Sequence, residues 1–384
     1  MPDQPAQQKV AIVGLGLIGA SIGLALKEAG LTTTRIVGFD HDHGVARKAE
    51  KMGAIDEWHG KIRDVVDGAH LVIVAVPILA VRDAFQEIAP HLGQGAIVTD
   101  TASTKANVMR WAAEILPEGV NFIGGHPMAG KETAGVDNAE AALFQGKTYC
   151  ICPVADTDPA AIRTITGLAH LVGAEPVYLD ADEHDQYAAA VSHMPLVLST
   201  ALFSLIRTSP SWVDLGAMAS SGFKDMTRLA SGDPALAHGM WRTNREAMIH
   251  WIERMMAEMA RYRDMLKDAQ DEKLFEAFAE AQIERETFLR EPPRRKPEQQ
   301  AGVDSRRALL DMFVGGMAAD NLRKAEKIPE LLRQKTATEA EAEVGEPKRK
   351  LTLAERIADD VRRDIEKLEA KRAEKQDDKP SDDA

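Results

Sequence analysis

The sequence predicts an α/β domain with a doubly wound parallel sheet, followed by an all-α domain. Short apolar segments alternate with helical periods over the first part of the chain. This alternation is typical of parallel strands linked by crossover helices. A glycine-rich turn joins the first predicted strand to the first predicted helix. From Asp182 to about Arg290 the pattern contains helical periods and no convincing strand, so a helical second domain is expected.

The glycine-rich turn has the spacing G-x-G-x-x-G. Gly14, Gly16 and Gly19 follow a predicted strand over 10–13, and an apolar helix over 20–29 comes next. In a dinucleotide site these glycines permit a tight turn, a close approach of the backbone to the pyrophosphate, and close packing of helix on strand. The pyrophosphate then meets the free N–H groups and the positive end of the helix. The first domain is therefore expected to be of the Rossmann type.

The second predicted strand, 35–39, ends at Asp40, whose carboxylate can accept hydrogen bonds from ribose hydroxyls. No arginine directly follows Asp40, so a 2′-phosphate would meet carboxylates, and NAD is favoured over NADP. An apolar run over 71–81 predicts a central parallel strand that ends where a cofactor would lie. The predicted cofactor-binding residues are Gly14, Gly16, Leu17, Ile18, Gly19, Asp40, Val76 and Pro77.

The later elements divide the chain into three expected regions. Further strands are predicted at 96–99, 121–124, 148–152 and, less clearly, 175–179, and long helical periods run through 187–207 and 244–266. The expected regions are a dinucleotide-binding domain over 1–180, a helical substrate and dimerisation domain over 181–292, and a charged, partly disordered extension over 293–384. The apolar content of the helical region is high for one solvated layer, so a homodimer that buries helices against each other is expected.

Composition excludes several classes of function. The net charge of −13 argues against a nucleic-acid-binding surface. The polar start of the chain shows no signal peptide, and the longest apolar run contains a proline and is too short to span a bilayer, so a cytoplasmic protein is expected. Cys150 and Cys152 fall on one face of a predicted strand with no further metal ligands beside them. They are predicted to be reduced core thiols, and no metal site is expected.

Three segments carry residue types that suit chemistry. The segments 99–105 and 124–132 each follow a predicted strand directly. Strand carboxyl ends of a doubly wound sheet face the ligand crevice, so both segments are expected at its rim. The third segment, 221–228, lies in the helical region and places charged residues among small and apolar ones.

These segments give the chain a resemblance to the prephenate/arogenate (cyclohexadienyl) dehydrogenases of tyrosine biosynthesis. The matching segments are 13–19, Asp100 to Lys105, Gly125-His126-Pro127-Met128-Ala129-Gly130 with Glu132, Ser192-His193-Met194-Pro195, and 222–230 with Asp233-Pro234 after it. The resemblance covers roughly residues 9–290, and the segments past 295 match nothing in the family pattern. The glycine loop is common to many families, whereas the His-Pro-Met-Ala-Gly and Gly-Phe-Lys-Asp-x-Thr-Arg segments together are much more specific.

The resemblance implies an oxidative decarboxylation of prephenate to 4-hydroxyphenylpyruvate with NAD. Hydride leaves the ring carbon that bears the hydroxyl, the ring carboxylate leaves as CO2, and the ring becomes aromatic. Arogenate as the substrate stays an open alternative. A β-hydroxyacid dehydrogenase with Lys224 as its acid/base is a more distant one. A non-catalytic NAD-binding regulator would not need His126 and Arg228, so their presence argues against it.

The resemblance assigns two catalytic residues and one substrate clamp. His126 suits the acceptor of the hydroxyl proton, because an imidazole is largely neutral at pH 7. Ser103 suits a second hydrogen-bond partner of the hydroxyl, or the N-cap of the helix that starts near Lys105. Arg228 suits the clamp on the ring carboxylate, because a guanidinium binds a carboxylate in a forked manner. The alternative to this clamp role is that Arg228 forms an ion pair with Asp225.

The remaining candidates lie on the substrate side. His193 is either a polar contact to the substrate or a satisfied core histidine of an apolar helix. Glu132, Lys224 and Asp225 suit a charged cluster at the mouth of the site that reaches across a dimer interface, and their alternative is ordinary solvated charge.

Overall fold

The computed structural model describes residues 8–31, 33–131 and 133–293. The chain separates into two compact units, whose described parts are residues 8–261 and 262–293. Almost all of the expected C-terminal extension, 293–384, lies outside the described residues.

The first unit contains a mostly parallel sheet of eight strands, as the alternating pattern predicts. The strands are β1 (Gln8–Val13), β2 (Thr34–Phe39), β3 (Glu57–Trp58), β4 (Leu71–Val74), β5 (Ile97–Asp100), β6 (Asn121–Pro127), β7 (Thr148–Cys152) and β8 (Glu175–Tyr178). Their order across the sheet is β3-β2-β1-β4-β5-β6-β7-β8. Every neighbouring pair is parallel except β6 and β7, which are antiparallel. The order reverses at β1 and β4, and a doubly wound sheet binds its ligand at such a switch point.

Most strands lie where the sequence predicts them, with two differences that affect the site. The central strand ends at Val74, so Val76 and Pro77 lie in the loop that follows it. The strand predicted over 121–124 continues to Pro127, which places His126 inside β6. The two-residue strand β3 is too short to produce a period-2 pattern, and the sequence pattern does not predict it.

Helices cover both faces of the sheet. They are α1 (Leu17–Glu28), α2 (His43–Lys51), α3 (Ile62–Val66), α4 (Val81–Ile88), α5 (Ala106–Ile115) and α6 (Pro159–Leu171). Successive residues of β1 point to opposite faces, so Ile12 packs in one hydrophobic core and Val13 packs in the other. Cys150 and Cys152 are buried free thiols, as predicted, and burial raises the pKa of the Cys152 thiol.

From residue 181 onward the described chain is helical. The helices are α7 (Ala181–Ala188), α8 (Met194–Arg207), α9 (Trp212–Ala217), α10 (Ser221–Thr227), α11 (Pro234–Thr243), α12 (Arg245–Lys267) and α13 (Asp271–Arg290). A π-helical turn, Ala189–His193, joins α7 to α8 into one continuous helix. By length and composition alone this helix qualifies as a membrane span within the described residues, but apolar helices of soluble proteins also meet that test.

The second unit is a helical hairpin over its described residues. Ala269 has φ of +47°, a left-handed conformation that ends α12 before α13 begins. The rings of Tyr262 and Phe278 contact each other across the hairpin, with centroids 5.9 Å apart.

Candidate active site

In the glycine loop between β1 and α1, neighbouring atoms leave no room for a side chain at two of the glycines, whereas space is free at the third. Gly14 has φ of +92°, and a Cβ there would lie 2.5 Å from the carbonyl oxygen of Ala75. A Cβ on Gly19 would lie 1.9 Å from the carbonyl oxygen of Gly14. At Gly16, chain neighbours aside, no atom of the described residues lies within 4 Å of the Cβ position. Side chains are therefore excluded by the fold at Gly14 and Gly19, whereas at Gly16 the free space suits the close approach of a pyrophosphate.

A cleft of about 480 Å³ opens beside this loop, at the carboxyl ends of the central strands. Gly14, Gly16, Asp40, Val76 and Pro77 all line it, so the structure brings these predicted cofactor residues together. Leu17 and Ile18 are the first two residues of α1, and their side chains pack against the hydrophobic core. The first N–H groups of a helix have no partner within it, so α1 presents an anion-binding terminus beside the cleft.

Asp40 is held in place by the glycine loop and by its own turn. Its Oδ2 accepts a hydrogen bond from the Leu15 N–H at 2.8 Å, and its Oδ1 accepts one from the Asp42 N–H at 2.9 Å. Each oxygen keeps lone-pair capacity for a ribose hydroxyl. Asp83 and Glu87 line the same cleft and add two carboxylates that the sequence pattern does not single out. The lining therefore fits NAD and opposes the extra phosphate of NADP.

His126 lies near the end of β6, at the carboxyl edge of the sheet, and is 8% exposed. The fully buried Lys105 contacts the Asp100 carboxylate and donates to the carbonyl oxygen of Gly125 at 2.7 Å. Asp100 in turn accepts a hydrogen bond from the Gly125 N–H at 3.1 Å. This buried ion pair ties β5 to β6 and fixes the backbone next to His126.

A chain of hydrogen bonds links His126 to the helical region. His126 Nδ1 lies 2.9 Å from His184 Nε2, and His184 Nδ1 lies 2.8 Å from Asp185 Oδ1. The Asp185 carboxylate also accepts hydrogen bonds from the N–H groups of Lys105 at 2.6 Å and Ala106 at 3.0 Å. The only sequence signal for this contact is an adjacent His-Asp pair near the start of the helical region, and such a pair is common in soluble helices.

The surroundings of His126 favour its neutral form. Burial lowers its pKa well below 6.5, and the charges of His184, Lys105 and His193 lower it further. A histidine with a lowered pKa is unprotonated at pH 7 and has one ring nitrogen available as an acceptor. His126 therefore has the protonation state that a general base requires.

His193 lies next to this chain at the end of the π-helical turn and is fully buried. The Asn244 amide donates to the carbonyl oxygen of Asp185 at 2.7 Å and lies 3.4 Å from His193 Nδ1. Burial lowers the pKa of His193 to about 4. Its Nε2 has no hydrogen-bond partner among the described residues, which suits a polar ligand at that atom. π-Helical turns recur at functional sites because they redirect the side chains that follow.

Ser103 is half-buried in the loop that follows β5. The alternative prediction, that it caps the next helix, is wrong. Helix α5 has Lys105 as its N-cap residue, and the Asp185 carboxylate accepts the N–H groups at its start. The role of Ser103 as a hydrogen-bond partner of the substrate hydroxyl stays a prediction.

The charged residues of segment 221–228 are exposed, whereas the three histidines described above are buried. Lys224, Asp225 and Arg228 are exposed on α10 and on the 3-10 turn Arg228–Ser231 that follows it. Both of these elements pack against α8. Glu132 lies outside the described residues. The substrate roles of all four residues stay predictions.

Comparison with known proteins agrees with this architecture. The prephenate dehydrogenase nucleotide-binding domain matches residues 22–178, and the prephenate dehydrogenase dimerization domain matches residues 180–280. The prephenate dehydrogenase of Bacillus subtilis is 32% identical over 275 residues, which cover 71% of this chain and 74% of the relative. The chain belongs to the prephenate dehydrogenase family. The family resemblance in its motifs is thereby confirmed.

Solved members of the family have the same fold. The Aquifex aeolicus prephenate dehydrogenase, solved with hydroxyphenyl propionate and NAD+, superposes with a TM-score of 0.69 at 28% identity, covering 74% of this chain and 100% of that one. The Synechocystis arogenate dehydrogenase superposes with a TM-score of 0.64 at 27% identity, covering 73% and 100%. These likenesses confirm a Rossmann-type domain followed by helices.

Proposed function

We propose that this protein is an NAD-dependent prephenate dehydrogenase, which converts prephenate to 4-hydroxyphenylpyruvate and CO2 in tyrosine biosynthesis. The observation that carries the proposal is His126. It is a buried, neutral imidazole at the carboxyl edge of a Rossmann-type sheet, in a chain of the prephenate dehydrogenase family. Such a base is what removal of a hydroxyl proton requires.

In the proposed reaction each residue of the site has a separate role. NAD, when bound, supplies the acceptor of the hydride from the ring carbon that bears the hydroxyl. His126 accepts the hydroxyl proton and returns it to the phenolate oxygen once the ring is aromatic, and Ser103 donates to or accepts from the same oxygen. Arg228 holds the ring carboxylate until the C–C bond breaks, when its electron pair enters the ring and CO2 leaves. His193 presents its Nε2 to the substrate, while Glu132, Lys224 and Asp225 form the charged mouth.

The protein is proposed to act as a homodimer in the cytoplasm. The family domain that matches residues 180–280 is named for dimerization. Apolar side chains on the helices are widely exposed in the single chain, among them Val213 and Met218, each more than 80% exposed. Exposed apolar surface of this extent is typical of an interface. The three-part division at 180 and 292 belongs to the same proposal, and the ranges of the two family domains support its boundary near 180.

Arogenate is the second candidate substrate, because the Synechocystis arogenate dehydrogenase shares this fold over its whole length. The purified full-length protein is assayed with NAD or NADP and with prephenate or arogenate, following the absorbance of the reduced cofactor. We expect the highest kcat/KM with prephenate and NAD. A higher kcat/KM with arogenate would identify the protein as an arogenate dehydrogenase. No turnover with either substrate would contradict the proposed function.

A further inference from the structure

We propose that His184 and Asp185 are positioning residues, which hold His126 in the tautomer with its proton on Nδ1 and its lone pair on Nε2. Their kinetic effect rests on the function proposed above. The geometry that carries the inference is the continuous chain from the Asp185 carboxylate through the His184 ring to the His126 ring, with contacts of 2.8 and 2.9 Å.

The direction of each hydrogen bond follows from the acceptor at the end of the chain. Three N–H donors converge on Asp185, from Lys105, Ala106 and the His184 ring. A carboxylate only accepts, so His184 carries its proton on Nδ1. In this proposal His184 is neutral, so its Nε2 has a lone pair and His126 supplies the proton of the next bond from its Nδ1. His126 Nε2 is thereby left as the acceptor.

The same chain stabilises the charge that forms during the reaction. When Nε2 of His126 takes the hydroxyl proton, the ring becomes an imidazolium. Its Nδ1–H donates to His184, whose Nδ1–H faces the Asp185 carboxylate, so the new positive charge is connected to a fixed negative one. The other charged and titratable groups beside His126 are Lys105, which is paired with Asp100, and His193.

Asp185 also has a purely structural role that must be separated from positioning. Its carboxylate accepts hydrogen bonds from the N–H groups at the start of α5. A substitution that removes this carboxylate therefore also removes the cap of that helix. His184 contributes no acceptor to that cap, although its ring bonds the same Oδ1 of Asp185. Substitutions at His184 therefore test the positioning role while the capping carboxylate itself is kept.

The kinetic test compares His184→Gln with His184→Leu. The glutamine amide oxygen can accept the hydrogen bond from His126 Nδ1, whereas leucine cannot. We expect His184→Leu to lower kcat by roughly 10²-fold or more and to leave KM for NAD unchanged. We expect His184→Gln to keep at least about ten times the kcat of the leucine variant, a difference of about 1.4 kcal/mol.

The matched control is His91→Leu. His91 ends a turn that precedes β5, at the opposite edge of the sheet from His126, so its kcat is expected to equal that of the unmodified protein. Equal kcat in the two His184 variants overturns the positioning role, because a structural role does not distinguish an acceptor from a methyl group.

A second test does not depend on activity. The nitrogen-15 NMR spectrum of the ligand-free protein reports which ring nitrogen of His126 is protonated. We expect a protonated Nδ1 and an unprotonated Nε2 in the unmodified protein, and a mixture of tautomers in His184→Leu. A proton on Nε2 in the unmodified protein overturns the proposal. If the protein turns over neither substrate, the function above fails while this spectrum still decides the tautomer. If His184→Leu does not fold, the spectrum of the unmodified protein decides alone.

Discussion

The sheet of the first unit and the helices that follow residue 181 bury their apolar side chains to different extents. In β1, β4 and β5 the apolar residues are buried, and helices cover both faces of the sheet. In the helical region Val191 and Leu205 are about 70% exposed, and Val213 and Met218 are more than 80% exposed. One chain completes the sheet core by itself, whereas the helices leave apolar surface that a second copy would cover. Chemistry that belongs to the sheet should therefore survive changes in the helices that alter assembly.

The largest expected effect tests whether the base on the sheet acts as proposed. His126→Asn should lower kcat by roughly 10²–10⁴-fold, the usual loss for a general base, with NAD binding intact. Burial holds the His126 pKa well below 6.5, so in the unmodified protein kcat/KM should stay level as the pH falls to 6.5 and decline only further down. Steady-state kinetics across pH give both results. Near-normal turnover of the variant would return His126 to a structural role.

The same buried histidine links pH to stability. The folded pKa of His126 is lower than its unfolded value, so the unfolded chain binds the proton more readily. His126 stabilises the fold fully above pH 6.5, and this contribution is lost as the pH falls below that value. His193, with a pKa of about 4, adds a loss between pH 6.5 and 4. Urea unfolding over this range measures the decline, which His193→Gln should make shallower.

The exposed helix faces predict the next effect. Leu205→Asp places a charge on the apolar surface of α8 and should weaken the dimer by on the order of 100-fold or more. Val154→Asp is the matched control, because Val154 is also exposed but follows the sheet strand β7. Sedimentation of both variants at several concentrations measures the dissociation constant. Equal dissociation constants in the two variants would contradict a dimer through the helices.

Arg228 tests a substrate contact from the helical side. If it binds the ring carboxylate, Arg228→Ala should raise KM for prephenate by about 10–150-fold, the equivalent of about 1.5–3 kcal/mol. NAD affinity should not change, and Arg228→Lys should recover only part of the loss, because an ammonium lacks the forked geometry. The Tm should stay within a few degrees, since Arg228 is exposed. A defect confined to KM for NAD would exclude the clamp.

The preference for NAD over NADP is the smallest expected effect, and it concerns the domain that contains the sheet rather than the helical region. NAD should be used at least about tenfold better than NADP, a difference of about 1.4 kcal/mol. Asp40→Asn removes the charge while its amide oxygen can still accept from Leu15, so it should narrow the ratio without loosening the glycine loop. Glu87→Gln, on the same cleft, should change the ratio less. A preference of the unmodified protein for NADP would contradict the role of Asp40.

Features of the fold that are decided by residues close together in the chain can be predicted from the sequence. The spacing of Gly14, Gly16 and Gly19 predicts a glycine loop, and the structure shows why side chains do not fit at two of them. The strand Thr148–Cys152 lies within the bounds that its apolar pattern predicts. Turns, strand periods and helix starts are decided over a few residues, so a short window of sequence contains the information.

The contacts around the base depend on residues far apart in the chain. The sequence predicts His126, through the resemblance of its motif, but the common His-Asp pair 58 residues away does not indicate that His184 bonds to it. It likewise gives no sign that Asp185 caps a helix 79 residues earlier, or that β7 runs antiparallel to β6. The sequence by itself predicted the cofactor loop, Asp40 as the candidate ribose contact and His126 as the candidate base. Only the tertiary structure decided the protonation and orientation of that base, because burial and hydrogen-bond partners exist only once the helices pack against the sheet.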